Sequence, residues 1–466
     1  MKALLLVLCL VCPHASWADE WSRFRGPNGT GVSTDTGFPV EFGPDENLLW
    51  KAPVRPGKSS PVLTKHRVFV TAFDDGKLFT QCFDRASGKL LWERSEDRAR
   101  TTVLHKLNEP AAPTPVTDGE NVYVFFAELG LLSYDPAGKL RWKVALGPFS
   151  NSMGVSSSPI LNGDSLVLQV DQEENPYVAA FASRNGEILW KTERLARSGW
   201  ATPVLHRPAG AKPYLLTVSS GKLAGYDLQN GARVPHSEEL SPAIVASPAL
   251  AGDTIYAFGY GFETPSPFAG PLKRFDKDGD GKLTPEEYGV EPLLIHIGKY
   301  EGDRDGTVTS EEWEAAFRKI STPSRLQAFR LEPDAKSKAV RARELWRYEK
   351  NFVGVIPSPL LYDGTLYVIR NGGILTSFDA ESGEVAKMGR VDGAVDPYSS
   401  SPVAAEGRLY VASEEGKVAV LKAGREWEVL KVNDLGEPVF ATPALSQGVI
   451  YVRTAAALYA FGKPTR

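Results

Sequence analysis

Short apolar runs broken by turn residues recur along the chain, and they follow a fixed script. A Ser-Pro or Thr-Pro dipeptide precedes an apolar run at Ser60-Pro61, Thr114-Pro115, Ser158-Pro159, Thr202-Pro203, Ser247-Pro248, Ser358-Pro359, Ser401-Pro402 and Thr442-Pro443. After a turn comes a second run, as in Val68-Phe69-Val70, Val122-Tyr123-Val124 and Leu366-Tyr367-Val368. A third ends in an aromatic residue followed by Asp, as in Phe83-Asp84, Tyr134-Asp135, Tyr226-Asp227 and Phe378-Asp379. Gly with a charged residue then opens a tight hairpin at Gly88-Lys89, Gly138-Lys139, Gly186-Glu187 and Gly383-Glu384, where glycine supplies the positive φ such turns need. A fourth run often carries Trp: Trp92, Trp142, Trp190 or Trp346. Short runs rich in aromatic and β-branched residues predict four strands per unit.

The prolines of successive dipeptides lie 54, 44, 44, 45, 111, 43 and 41 residues apart. Seven intervals bound eight units, and the long step holds one ordinary interval plus about 66 residues against a blade period of roughly 40–45. The expected fold is all-β, an eight-bladed β-propeller, because a lone blade cannot bury both faces of its sheet and blades stacked about an axis can. The Trp residues are expected to pack between neighbouring blades. The last unit runs from Pro443 through Tyr451-Val452 to Phe461 and lacks its fourth strand. Leu48-Leu49-Trp50 supplies that strand, so the ring closes through the N-terminal segment and leaves no exposed edge. Units four and six place Val234 and Ala386 where Trp is expected.

The extra residues fall between the second strand of unit five (254–258) and its third (326–331). They contain Asp276-Lys277-Asp278-Gly279-Asp280-Gly281-Lys282-Leu283-Thr284-Pro285-Glu286-Glu287, a full EF-hand loop. A hard dication takes oxygen ligands. Asp276, Asp278 and Asp280 offer carboxylates, Lys282 its backbone carbonyl, Thr284 stands where a water often intervenes, and Glu287 closes the site with two oxygens. Gly281 permits the sharp turn. A second loop runs from Glu301 to Glu312, with Asp303, Asp305, Thr307 and Glu312 in ligand positions and Glu301 a methylene too long at the first. Either it binds calcium weakly or it is a structural mate for the first loop. Leu283 and Val308 are the expected pairing residues of the two loops. Thirteen residues separate the loops and Pro292 interrupts them, so the helix between is short. The second loop exits into a capped amphipathic helix from Ser310. The insert has no Met, whereas calcium sensors expose a Met-rich groove, so a constitutive Ca²⁺ site of ~10⁻⁴–10⁻³ M is expected. Strands alternate in direction within a blade, so the insert belongs on the face of the Ser-Pro and Thr-Pro loops.

Composition alters this picture in two places. The formal net charge of −4 over 466 residues argues against a nucleic-acid partner. The N-terminus, with Lys2, an apolar stretch from Ala3 to Val11 and Ser16-Trp17-Ala18 before Asp19, reads as an export signal and is too short to span a bilayer. No other stretch is long and apolar enough to be transmembrane. Cys9 and Cys12 fall in the signal, which leaves Cys82 alone and no intrachain disulfide, tolerable for a large core. The expected organisation is a signal peptide over 1–18, an extended segment over 19–47, blades one to four and half of five over 48–262, the EF-hand pair over 263–322, and the remaining blades over 323–466. A monomer exported to the periplasm or beyond is expected.

The script of aromatic-Asp, Gly-Lys or Gly-Glu, then Trp resembles the quinoprotein-like (PQQ-like) propeller repeat. The opening Trp21-Ser22-Arg23-Phe24-Arg25-Gly26-Pro27-Asn28-Gly29-Thr30-Gly31 is similar to the start of bacterial PQQ-like, BamB-like repeat proteins, as are Asn433-Asp434-Leu435-Gly436-Glu437 and Tyr451-Val452-Arg453-Thr454 near the end. The resemblance implies the fold strongly and function weakly. Quinoprotein dehydrogenases stack PQQ on a disulfide between adjacent cysteines and hold calcium inside the ring. This chain has no such pair after the signal, and its evident calcium site lies in an insert, which argues against PQQ. His-Glu-x-x-His and Gly-x-Ser-x-Gly are absent. A binding or assembly scaffold is therefore favoured, with a protein or glycan partner at a propeller face. Candidate ligand loops carry His105 and Asn108, Asp171 and Gln172, and Arg23 and Arg25. The alternatives are a PQQ-dependent oxidoreductase and a polysaccharide-acting enzyme, which would need an acid pair in the funnel, such as Asp171 and a neighbour.

Overall fold

Each Ser-Pro or Thr-Pro dipeptide leads into the innermost strand of a blade, and that strand is two or three residues long. In blade one the strands are Val62–Leu63, Arg67–Asp74, Lys77–Asp84 and Leu90–Asp97, paired in sequence order and antiparallel. The computed structural model describes residues 21–102, 104–151, 153–194, 199–219, 221–234, 240–241, 244–259, 261, 267–333, 340–349 and 356–463, and the expected export signal lies outside them. Eight four-stranded sheets of this kind form the propeller. The second and third strands are buried along nearly their whole length, because blades cover both their faces, while the outer fourth strand alternates toward solvent.

The ring closes as the sequence predicts. Leu48–Pro53 pairs with Ala457–Phe461 as the outer strand of blade eight, with Trp50 opposite Ala460. Five tryptophans make the same joint. Trp50, Trp92, Trp142, Trp190 and Trp346 each donate Nε1–H to a carbonyl of the next blade, those of Arg85, Pro136, Ser183, Leu228 and Ala380, at 2.8–3.1 Å. The hairpin glycine of that next blade lies flat on the indole. A Cβ built at Gly138 would stand 2.6 Å from Cδ2 of Trp92, and Gly88, Gly186, Gly231 and Gly383 meet the other four rings similarly. The hairpin glycine is thus required for contact as well as for φ.

Blade six corrects one expectation. With the same bulge as blade one, here between Ser377 and Phe378, Lys387 and not Ala386 stands opposite Ser377 in the position that Trp92 holds opposite Cys82. Lys387 donates Nζ–H to the Trp427 carbonyl at 2.6 Å and lies 4.4 Å from the Trp427 ring centre, so the joint to blade seven is built from the other side.

The insert leaves blade five after its second strand (Thr254–Gly259) and returns into its third (Arg325–Pro333). It contains α1 (Ala269–Phe275), α2 (Pro285–Tyr288), α3 (Pro292–Tyr300) and α4 (Ser310–Ile320). Pro292 opens α3, where its missing N–H costs nothing. Thr309 caps α4 in a capping box with Glu312. Phe268, Leu283, Tyr288, Leu294, Ile297, Val308, Trp313 and Phe317 form a separate small core. Leu283 and Val308 exchange both backbone hydrogen bonds, at 3.0 and 2.8 Å, joining the two loops as expected.

Candidate functional site

The residue before each repeat proline is always Ser or Thr, and the structure gives the reason. The backbone N–H of each donates to the hydroxyl of the corresponding residue in the next blade. The sequence runs Ser60 to Thr114, then Ser158, Thr202, Ser247, Ser358, Ser401 and Thr442, and Thr442 donates back to Ser60. All eight bonds are 2.9–3.1 Å and buried, so a closed hydrogen-bonded circle surrounds the axis. Residue types that lack a hydroxyl would leave a buried amide unpaired.

This circle forms the deep wall of a funnel of about 430 Å³. Toward the mouth the wall turns apolar, with Leu107, Met153, Trp200, Val245, Ile356 and Phe440, and Leu293 of α3 joins it. His296 on the same helix places Nδ1 3.5 Å from Oε1 of Glu173. The insert therefore stands on the face of the Ser-Pro and Thr-Pro loops, as strand alternation predicts.

His105 and Asn108 lie in the funnel wall, where the sequence reading placed a candidate loop. Burial holds the His105 imidazole below its usual range, so it is neutral at pH 7. Asn108 donates Nδ2–H to the Met153 carbonyl at 3.0 Å. Lys58 was not foreseen. Its ammonium donates to the Leu107 carbonyl at 3.1 Å and sits 5.0 Å from the Phe440 ring, and burial lowers its pKa. Glu109 turns one carboxylate oxygen to the Lys58 backbone N–H, and burial holds its carboxyl above the usual range. Trp200 and Leu293 also reach the funnel without a local signal, since they converge from blade four and the insert.

Asp171 and Gln172 do not reach the funnel wall. Asp171 is buried in an ion pair with Arg194, with Oδ1 2.6 Å from Nε, and also accepts from Gln169 Nε2. Arg194 continues to Thr217 Oγ1 at 2.7 Å, so the group ties blade three to blade four. Gln172 accepts from the Ser150 backbone N–H at 3.1 Å. The funnel acid pair considered for Asp171 is therefore not formed.

Arg23 and Arg25 sit on the axis rather than in an open loop. The segment that carries them plugs the ring by pairing with the inner strands. The Leu63 N–H donates to the Trp21 carbonyl, Thr117 N–H to Ser22, and Ala404 N–H to Gly31, at 2.8–2.9 Å. Asn28 exchanges two hydrogen bonds with Leu205, at 2.8 and 3.0 Å. Arg23 Nη2 donates to the Pro203 carbonyl and Arg25 Nη2 to that of Pro359, both at 2.7 Å. Phe24, between them, forms part of the funnel wall.

In the first insert loop, Asp276, Asp278 and Glu287 bring carboxylate oxygens within 4.8 Å of one another, which suits a hard cation. Asp276 accepts from Gly279 N–H and Gly281 N–H at 2.7 and 3.2 Å, and Asp280 from Lys282 N–H at 2.8 Å. Gly281 has φ 78°, as the turn requires. Glu287 accepts from the Thr284 and Lys277 backbone N–H groups, and these hold its carboxyl below the usual range. The second loop repeats the turn. Asp303 accepts from Asp305 N–H, Asp305 from Thr307 N–H, and Glu312 from Asp303 N–H and Thr309 N–H, at 2.7–3.2 Å. Among the described residues, only the first loop gathers three metal-competent side chains.

Residues 32–237 match the family model of the outer membrane protein assembly factor BamB, and residues 272–290 match that of the EF hand. No curated protein matches the sequence. Among solved structures, BamB from Moraxella catarrhalis is 12% identical with a TM-score of 0.57, over 90% of this chain and 98% of that one. Quinohemoprotein alcohol dehydrogenase from Comamonas testosteroni is 11% identical with a TM-score of 0.57, over 96% of this chain and 81% of that one. A europium-containing methanol dehydrogenase is 10% identical with a TM-score of 0.51, over 96% and 99%. At such identities the likeness is one of fold. No described helix is long and apolar enough to cross a membrane. By its repeat, its mode of closure and these matches, the chain is an eight-bladed β-propeller similar to the PQQ-like, BamB-like repeat proteins, with an EF-hand match in the insert of its fifth blade.

Proposed function

We propose that the protein is an exported, non-enzymatic binding scaffold whose partner, a protein segment or glycan, docks at the funnel mouth beside a calcium-loaded EF-hand pair. The observation that carries this reading is the position of Leu293. A helix of the metal-binding module forms part of the funnel wall, so metal loading and partner binding share one face. Asp276, Asp278, Asp280, Thr284, Glu287 and the Lys282 carbonyl would hold the calcium, which supplies charge neutralisation and rigidity rather than chemistry. The second loop serves as its structural mate.

The donor set of the funnel favours binding over quinone chemistry. Its described lining offers hydroxyls, apolar side chains, His105, Asn108 and Lys58, with no cysteine and no carboxylate to seat an internal dication. A photo-crosslinking residue at Leu107, on the funnel rim, tests the reading in cell-envelope extract of the native host. The expected result is a discrete crosslinked partner in calcium, reduced by chelator, and none from the same residue at Leu189 on the outer strand of blade three, which is exposed. Dye reduction on addition of PQQ, calcium and an alcohol would overturn it.

A further inference from the structure

The axial plug buries two positive charges that no described acidic residue pairs. Arg23 is 5% exposed and Arg25 is fully buried. Neither makes an ion pair with a described residue. Arg23 commits one Nη2 hydrogen bond, to the Pro203 carbonyl, and Arg25 commits Nη2 to the Pro359 and Thr30 carbonyls. The Nε and Nη1 atoms of both guanidiniums are buried and have no partner among the described residues. A buried charge is ordinarily paired, and leaving one unpaired carries a desolvation cost of several kcal/mol in real proteins. Here two like charges also repel each other. Burial lowers each pKa to about 9, and Arg25 lowers that of Arg23 further, yet both groups remain charged at neutral pH.

Among the described residues no acidic side chain acts on either guanidinium, and the segment that carries them borders two cavities. The plug lies between two cavities. Phe24 contributes to the funnel of about 430 Å³, and Trp21, Pro27 and Thr30 contribute to a second cavity of about 360 Å³. The chain passes the guanidiniums as glycine. A Cβ at Gly31 would stand 3.2 Å from Arg25 Nη2 and 3.3 Å from the Pro402 carbonyl oxygen, and one at Gly29 would stand 3.5 Å from Arg23 Nη2. Gly26 turns the segment at φ 65°, with its Cα face against the Trp21 ring, so the two arginines are carried into the axis from one tight turn.

We propose that Arg23 and Arg25 hold a small inorganic anion on the propeller axis, through their unpartnered Nε and Nη1 donors, and that this anion locks the N-terminal segment into the ring. The site is separate from the EF-hand loops and from the funnel mouth, and it does not depend on the scaffold reading. A monovalent halide and a phosphate-like oxyanion satisfy the same donors, because both present acceptor surface to guanidinium N–H groups.

The test uses the whole calcium-loaded chain in sodium gluconate at constant ionic strength, titrated with chloride in one arm and phosphate in the other. Thermal unfolding is expected to show a saturable rise of a few degrees in Tm in at least one arm, since a ligand of the folded state stabilises by mass action. Arg25→Gln is expected to abolish the rise. Crystals grown in sodium bromide are expected to show an anomalous peak within hydrogen-bonding distance of Arg23 and Arg25, or, for an oxyanion site, crystals grown in phosphate a tetrahedral density there. Ordered water alone at that position in both crystals, with no saturable rise in either arm, would overturn the proposal. If the Arg25→Gln chain does not fold, the two maps decide.

Discussion

Gly138→Ala tests the interlocking of blades, and its effect has two separable parts. Gly138 has φ 79°, and a Cβ there would stand 2.6 and 2.8 Å from Cδ2 and Cγ of Trp92 and 3.0 Å from Arg94 Nη2. The left-handed conformation alone costs an alanine about 1–2 kcal/mol. Overpacking against the indole adds about 1–3 kcal/mol, because the ring is held by its Nε1–H bond to Pro136 and cannot retreat freely. Gly76→Ala is the control. Its φ is 73°, and a Cβ there meets nothing within 4 Å, so it carries the backbone cost only. Urea unfolding of both variants, followed by tryptophan fluorescence, compares the two losses at matched m-values. Gly138→Ala is expected to lose about 1–3 kcal/mol more than Gly76→Ala. Equal losses would show that the glycine serves the turn alone and that the Trp joint is not tightly packed.

Four further outcomes follow from the same structure. Ser158→Ala removes the acceptor of the buried Thr114 N–H and is expected to cost about 1–3 kcal/mol in denaturant unfolding, with Ser158→Thr recovering most of it. Calcium calorimetry is expected to lose the first-site heat in Asp276→Ala and in Glu287→Ala and to keep it in Asp303→Ala; retention in the first two would remove the metal from that loop. Burial pushes the Cys82 thiol up to about 12, so a disulfide reagent at pH 8 should label it only after unfolding. Glu109 has a raised carboxyl pKa in the fold. The native chain then holds more protons than the unfolded one above the ordinary carboxylate pKa, and stability falls as pH rises through that window. Glu109→Gln should flatten the fall.

What was legible in the sequence was whatever repeats or is contiguous. The eight dipeptides counted the blades, Trp50 revealed the closing strand, and the twelve-residue loop at Asp276 revealed itself by spacing. The Ser or Thr of each dipeptide read only as a turn marker, although its constant hydroxyl was the visible trace of a hydrogen-bonded circle whose partners lie a whole blade away. Ala386 was misplaced by one position: the fourth residue after the hairpin glycine, Trp92 after Gly88, is Lys387 after Gly383, and a lysine there gives no sign that it replaces the indole. Asp171 looked like a loop carboxylate because its partner Arg194 lies 23 residues on, just past the blade's fourth strand. Arg23 and Arg25 read as candidate ligand-loop residues because the carbonyls they bind, at Pro203 and Pro359, are distant in the chain. Plug and funnel are both long-range constructions, and local pattern carries no information on them.

Hydrogen exchange of the chelator-treated chain on addition of calcium joins the metal loop to the funnel in one readout. Slower exchange is predicted in α2 to α4 and also at the His105–Glu109 rim, with blade eight unchanged. Protection that stops at the insert and leaves the rim as it was would contradict a calcium-organised binding face.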